Sequence, residues 1–449
     1  MNGASNNVEV SFLLPDDILR IIANLSDLVT WVSLRRCSRK FHNVCGEPDI
    51  VRSLCFSPIY RGGLSSDGGM CSALVESGLA VDVCHLDASS IVRACPYSLA
   101  RWIHAFPNLH TLLFPSSVRF PLYCCNDAAA KARWMHTFFY YSKPPIERLT
   151  LSDAQLSPES MAIVAHFLNK TLVFLDIKET CVPDGVLEAV SLLTSLQVLI
   201  MDDCHGSTTE GLVKMLISLG SSLRKISLNR NYHIDDRFFT GLLSVKNLQS
   251  LTLQECNRLT STGLQYFLQN IDDHCHHLQV LNLNGCMWVD DDVLRLFGTY
   301  APKLQMIQSL HLRGCSVSSA GLHYLRFLPH LSDLDVSYTQ VDDGALFAIS
   351  GIPRLKTLSL NNCQNSYEYF GLEGLRALSQ AELLSTLELR SNRQLDDDCL
   401  RVIAENLLNL RDIDLTSPLS RHRFTEAALG AMKERFRQRG AAINCKTSF

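Results

Sequence analysis

The chain has no long apolar run: nowhere in its 449 residues does an uncharged apolar stretch approach the roughly 18 residues of a membrane-spanning helix. Its start, Met1-Asn2-Gly3-Ala4-Ser5-Asn6-Asn7, lacks the basic-then-apolar layout of a secretory signal. No long basic run is present either. With 41 basic and 45 acidic residues the formal charge is -4, so electrostatics give nucleic acid or an anionic membrane no support as main partner. The phosphate-loop, nucleophile-elbow, zinc-protease and dinucleotide-glycine motifs are all missing, and no catalytic residue is nominated. Seventeen cysteines are present without paired flanking clusters, which fits a reducing compartment, cytoplasmic and/or nuclear, better than secretion. Cys124-Cys125 lacks the two-residue spacing of a redox pair or a zinc knuckle. The run Asp272-Asp273-His274-Cys275-His276-His277 crowds its donors too closely to wrap one tetrahedral ion, so neither a metal nor a cofactor is expected.

What is present is a repeat. The pattern Leu-x-x-Leu-x-Leu-x-x-Cys/Asn begins at Leu196, Leu223, Leu248, Leu278, Ile307, Leu331, Leu355 and Leu384, with weaker copies at Ile146, Leu172 and Leu410. From Leu172 onward the starts lie 24 to 30 residues apart, the range of leucine-rich repeats. In the copy at Leu248, the alternation from Ser250 to Gln254 predicts a short strand with Leu251 and Leu253 inward, and Leu264, Phe267 and Leu268 predict one helix stripe. Neither element can bury its apolar face alone, so stacked repeats forming an α/β solenoid, a horseshoe with a parallel sheet and outer helices, are expected.

The ninth position holds Cys204, Cys256, Cys286, Cys315 and Cys363, with Asn231 and Asn392 in the same slot, and the cysteines read as small buried hydrophobes. A second signature follows each strand in Ile234-Asp235-Asp236, Val289-Asp290-Asp291, Val341-Asp342-Asp343 and Leu395-Asp396-Asp397. Here an aspartate is expected to cap the following helix, where a carboxylate meets unsatisfied N–H groups.

Residues 10–50 leave this pattern. Leu14-Pro15-Asp16-Asp17 opens a helix carrying Ile18, Leu19, Ile22 and Leu25, and two further short helices run through Leu28, Leu34 and Phe41 to Pro48. So few residues make a weak core alone, and the segment should lean on a partner or on the first repeat. The stretch from Leu14 to Phe41 resembles the F-box family, although His42-Asn43-Val44-Cys45-Gly46-Glu47-Pro48 lacks the usual tryptophan. The resemblance implies a substrate receptor of a cullin-RING ubiquitin ligase, with Leu14, Pro15, Ile18, Ile22, Leu25 and Leu34 docking on a Skp-type adaptor. The competing reading is a leucine-rich repeat interaction scaffold unrelated to ubiquitin.

Residues 51–145 read as irregular leading repeats, with an insertion at about 116–145 whose aromatic run Trp134 to Tyr141 is expected to be core. Residues 146–422 are the regular repeats, 423–440 a capping helix, and the tail beyond Gly440 is expected to be loose. If positions three, five and seven of each copy face outward, the concave row offers an apolar patch at Phe174, Val198 and Ile200. A polar, mainly acidic stretch follows at His311, Arg313, Asp333, Asp335, Glu388 and Arg390. That row is the candidate substrate-binding surface, suited to a protein partner with a basic or mixed segment and one apolar anchor.

Overall fold

In the computed structural model the described residues are 53–55, 83–87, 106–113, 132–133, 135–137, 139–140, 145–151 and 156–447, without 272–276, 364–368, 418–422 and 441–442. The expected adaptor-facing residues Leu14 to Leu34, most of the 116–145 insertion and Asp272 to His276 of the histidine-rich run lie outside them. The chain divides into two compact units, Met1–Ser207 and Thr208–Phe449. Because repeats touch mainly their neighbours, that division falls inside the repeat series.

In the first unit β1 (Ser53–Cys55), β2 (His85–Asp87), β3 (Thr111–Leu113), β4 (Arg148–Thr150), β5 (Phe174–Asp176) and β6 (Val198–Ile200) pair in chain order, all parallel. In the second, β7 (Lys225–Ser227), β8 (Ser250–Thr252), β9 (Val280–Asn282), β10 (Ser309–His311), β11 (Asp333–Asp335), β12 (Thr357–Ser359), β13 (Thr386–Glu388), β14 (Asp412–Asp414) and β15 (Asn444–Lys446) do the same. Register is fixed by the repeat: Leu251 lies beside Leu281, and Leu310 beside Leu334. A slip of one residue would turn every leucine to the other face. These leucines, their sixth-position neighbours and helix residues such as Phe239, Phe297, Leu346 and Phe436 form the buried core.

One expectation needs correction. The tail is not loose, because β15 pairs with β14 and the Asn444 N–H donates to the Arg411 carbonyl at 2.7 Å. Within the aromatic run, Met135 and Phe139 are buried and Tyr140 is exposed, and Phe139 stacks 6.1 Å from Phe167.

Three-residue strands leave most of each turn's backbone unpaired, and the neighbouring repeat supplies the missing partners. Position eight is left-handed in every copy from Leu172 to Leu384, with φ of 54° to 68° at Glu179, Asp203, Arg230, Glu255, Gly285, Gly314, Tyr338, Asn362 and Ser391. In the copies from Leu223 onward that twist sends its N–H into the next repeat, as from Glu255 to the Asn284 carbonyl at 2.8 Å and from Tyr338 to the Asn361 carbonyl at 2.8 Å. Only two of these positions are glycine, so the hydrogen bond offsets a left-handed cost that other side chains ordinarily avoid.

The ninth-position cysteines are buried as expected, but they do more than fill space. The thiols of Cys204, Cys256, Cys286 and Cys315 donate to sixth-position carbonyls of the preceding repeat at 3.0 to 3.1 Å, and the Asn392 amide donates to the Leu360 carbonyl at 2.7 Å. Burial pushes the thiols of Cys204, Cys315 and Cys363 up to about 12 and that of Cys286 up to about 11. Each therefore keeps its proton at neutral pH and remains a donor.

The paired aspartates split two tasks. Asp290, Asp342 and Asp396 cap their own helices, accepting from Val293, Ala345 and Cys399 at 3.1, 2.7 and 2.9 Å. Asp235 does not: the helix Phe238–Leu242 has Arg237 at its N-cap with no side-chain cap, and Asp235 is held in an ion pair by Arg237 at 2.7 Å. The second aspartate serves the next repeat. Asp236 accepts from Thr260, Asp291 from Ser318 at 2.8 Å, Asp343 from Gly371 at 2.6 Å and Asp397 from Thr425 at 2.6 Å. Ser261, Ser319 and Leu372 hold the equivalent place in the intervening helices and bring no carboxylate. Repeats of the second unit thus come in clasped pairs.

The clasp needs room. A Cβ on Gly321 would sit 2.2 Å from the Asp291 Oδ1 and 2.8 Å from its Cα, whereas one on Gly430 would meet nothing within 4 Å. Gly321→Ala is expected to destabilise the chain by about 1–3 kcal/mol, and Gly430→Ala, inside the helix Glu426–Gln438, to stabilise it by up to about 1 kcal/mol. Urea denaturation of both variants checks this, and equal effects would remove the clasp argument. The buried thiols set a second expectation. Their folded values lie above the ordinary 9.0, so their contribution is whole below pH 9.0 and drains away as pH rises toward their folded values. The urea midpoint should fall through this alkaline window, less steeply in Cys315→Ala; a flat profile excludes the thiol contribution.

Candidate functional site

The strand residues that flank each buried leucine form the open face, away from the core. Most are half-buried, as at Ser250, Thr252, Val280, Asn282, Ser309 and His311. The expectation that the whole row faces solvent fails at Asp176, Ser227, Ser337, Ser359 and Asp414, which are buried. Their short polar side chains lie against backbone, and the reason is a recurrent hydrogen-bond problem.

Position seven lies just past the three-residue strand, so its N–H needs an acceptor. Where the preceding repeat has Asn or Ser at position seven, that side chain accepts. Asn229 thus takes the Gln254 N–H at 2.9 Å, Asn284 that of Arg313 at 2.8 Å, Ser337 that of Asn361 at 3.0 Å and Asn361 that of Arg390 at 2.8 Å. Where the preceding repeat brings Gln254 or Arg313 or Arg390 instead, the repeat's own fifth residue accepts: Asn282 from Asn284 at 3.0 Å, Asp335 from Ser337 at 2.9 Å and Asp414 from Thr416 at 3.0 Å. Much of the polar row is therefore tied into the scaffold, and Asp335 belongs to that set.

The candidate residues fall into local groups. In the first unit Phe174 and Ile200 are half-buried, and the Arg148 guanidinium lies 3.9 Å from the Phe174 ring centroid. In the second unit Ser309 donates to Asp333 at 2.7 Å and lies 2.8 Å from the His311 Nε2, with His311 and Asp333 3.9 Å apart. Arg390 binds Asp414 at 2.8 Å and approaches Glu388 at 4.0 Å, while Glu388 also accepts from Asn361 at 2.9 Å. Burial pushes the Asp414 carboxyl up, but the Thr416 N–H and hydroxyl and the Arg390 charge outweigh it and hold the group below the usual carboxylate range. Arg313 is exposed and stacks over Tyr338, its guanidinium carbon 4.3 Å from the ring centroid.

Sequence reasoning missed Tyr338, 49% exposed, Met287, 68% exposed, and Tyr232, 54% exposed, which is bonded to Glu255 at 3.3 Å. They occupy positions eight and ten, on either side of the ninth-position rung. The available signal was size: large groups beside that rung cannot enter a core already filled by it.

Ser309, His311 and Asp333 are the three residue types of an acyl-transfer triad in the wrong order. In such a triad histidine stands between the other two and takes the serine proton. Here serine stands in the middle and its proton goes to Asp333. A fluorophosphonate probe should leave Ser309 unlabelled in peptide mass spectrometry, and labelling at that residue would contradict this geometry.

Comparison with known proteins places the N-terminal segment. Residues 12–53 match the F-box domain family model. Among curated proteins, EEED8.10 of Caenorhabditis elegans, whose name describes it as RNA-binding, is 26% identical over 261 residues, 54% of this chain and 34% of its own length. NLRC5 of Ictalurus punctatus is 25% identical over 302 residues, 64% of this chain and 17% of its own. The match thus spans about a third or less of these relatives. Among solved structures, a chain of the yeast Rad7 and Elc1 complex aligns at 15% identity and a TM-score of 0.43, covering 92% of this chain and 90% of that one. An internalin (InlF) from Listeria monocytogenes aligns at 15% identity and a TM-score of 0.44, covering 78% and 82%. Residues 12–53 are an F-box domain, and the strands and helices that follow it are leucine-rich repeats.

Proposed function

We propose that this chain is the substrate-recognition subunit of a cullin-RING (SCF-type) E3 ubiquitin ligase. The observation that carries the reading is the F-box domain at residues 12–53 in the same chain as a parallel stack of leucine-rich repeats. An F-box domain implies a Skp-type adaptor, and Leu14, Pro15, Ile18, Ile22, Leu25 and Leu34 are the residues proposed to meet it. The open face of the repeats holds the protein substrate through backbone-tied polar groups and the exposed Arg313–Tyr338 pair. The chain itself performs no bond chemistry in this scheme. Its contribution is proximity, raising the local concentration of substrate lysines at a ubiquitin-charged partner enzyme. No cofactor takes part, and the reading places the protein in the cytoplasm, the nucleus or both.

The test separates docking from folding. Replacing Leu14, Pro15 and Ile18 together by alanine should abolish pull-down of the adaptor and cullin while leaving the urea midpoint of the repeats unchanged. Adaptor recovery at the wild-type level from the triple variant would refute the ubiquitin-ligase reading.

A further inference from the structure

The open face of the second unit carries two arginines, and the fold uses them differently. Arg390 is consumed internally, with its Nε and Nη2 both 2.8 Å from Asp414 and Glu388 beside it. Arg313 has no carboxylate within ion-pair distance among the described residues. Its guanidinium instead lies over the ring of Tyr338. A guanidinium covered on one π-face keeps its in-plane N–H donors directed outward, and the stack lowers the entropy lost when they bind.

Tyr338 is a firm support. It occupies the left-handed position of its turn, at φ 61°, and its N–H is fixed to the Asn361 carbonyl at 2.8 Å. The backbone beside Arg313 is bare at Gly314, where an added Cβ would meet only the Gly285 Cα, at 4.0 Å, whereas over Gly285 itself the Glu255 side chain stands in the place of a Cβ, its Cγ 2.8 Å away. One side chain is thus missing from the rim beside the Arg313–Tyr338 stack. An extended peptide can come close there, with one cation already in place.

The sign of the occupant's charge follows from Arg313, and the neighbouring strand limits how much of that charge is tolerated. β11, paired with β10, presents Asp333 and Asp335 with no lysine or arginine in ion-pair distance among the described residues. Their field disfavours a dianionic phosphate more than a monoanion, and a planar carboxylate matches the guanidinium fork. We propose that Arg313, stacked on Tyr338, is a specificity-determining contact that binds the carboxylate of an aspartate or glutamate in an extended segment of the substrate. This rests on the receptor reading of the repeats and names the chemistry of what they receive.

The probe is a positional-scanning peptide library, with one position fixed in turn as Glu, Asp, Lys, Gln or phosphoserine, bound to the full chain co-purified with its adaptor. The expected result is selection for Glu or Asp at one position, on the order of tenfold over Gln. That selection should be lost in Arg313→Ala, partly kept in Arg313→Lys, weakened in Tyr338→Leu and turned toward Lys in Arg313→Glu. No acid selection, or selection indifferent to Arg313→Glu, overturns the proposal. A preference for phosphoserine over Glu overturns the carboxylate assignment. Adaptor recovery from the same preparations reports on the receptor reading separately. Loss of acid selection with adaptor retained removes only the Arg313 proposal, whereas wild-type chain that never recovers adaptor removes the receptor reading.

Discussion

A strand of three residues cannot satisfy its own turn, and that constraint organises this protein. Each repeat leaves the N–H groups of positions seven and eight in need of acceptors: the eighth goes to the next repeat's backbone and the seventh to the preceding repeat's side chain or to the repeat's own fifth residue, while the carbonyl of position six takes the next repeat's ninth-position thiol or amide. The left-handed eighth residue, the thiol or amide at position nine and the short polar residues at five and seven answer one demand, that buried backbone polar groups be paired. No repeat is complete alone. Stability is therefore a property of interfaces between repeats more than of the repeats themselves, as expected for a quasi-one-dimensional stack.

Those interfaces are not equal. Asp236, Asp291, Asp343 and Asp397 each reach forward to the cap of the next helix, and the helices between them bring no carboxylate to that place. The seventh-position side chains follow the same alternation at Asn229, Asn284 and Ser337, and only Asn361 adds a bond across the boundary of a pair. Two separate hydrogen-bond systems, one at the strand ends and one at the helix caps, thus define the same two-repeat unit. Local opening of the second unit should begin where neither system bridges, after the repeats that begin at Leu248 and Ile307.

Much of this was legible in the sequence, because a period announces itself. The leucines fixed the strands, and Asp290, Asp342 and Asp396 cap as read. What stayed hidden depends on partners a whole repeat away. Nothing adjacent to Asp236 points to Thr260, and a thiol looks like a small hydrophobe until the carbonyl of the preceding repeat is placed beneath it. The left-handed eighth position is masked by its occupants, since Glu, Arg and Tyr give no hint of positive φ. The residues after Gly440 read as a loose end because three residues carry no pattern of their own; β14 gives them a backbone ladder. Of the candidate surface, the sequence marked the row but not which members the scaffold had already claimed. Arg313 and Arg390 look alike in the chain, and only packing shows one bonded to Asp414 and the other resting on a ring.

That distinction bears on how the surface can recognise a partner. A row of amides and carboxylates bonded to backbone is rigid, so binding to it costs little further side-chain entropy. It also has little donor or acceptor capacity left to discriminate with. Among the described residues of the row, specificity then falls to groups such as the exposed Arg313 guanidinium and the exposed Tyr338 and Met287 side chains. On the proposed receptor reading, selectivity lies in the departures from the repeat, and Arg313, Tyr338 and Gly314 are departures gathered in one place.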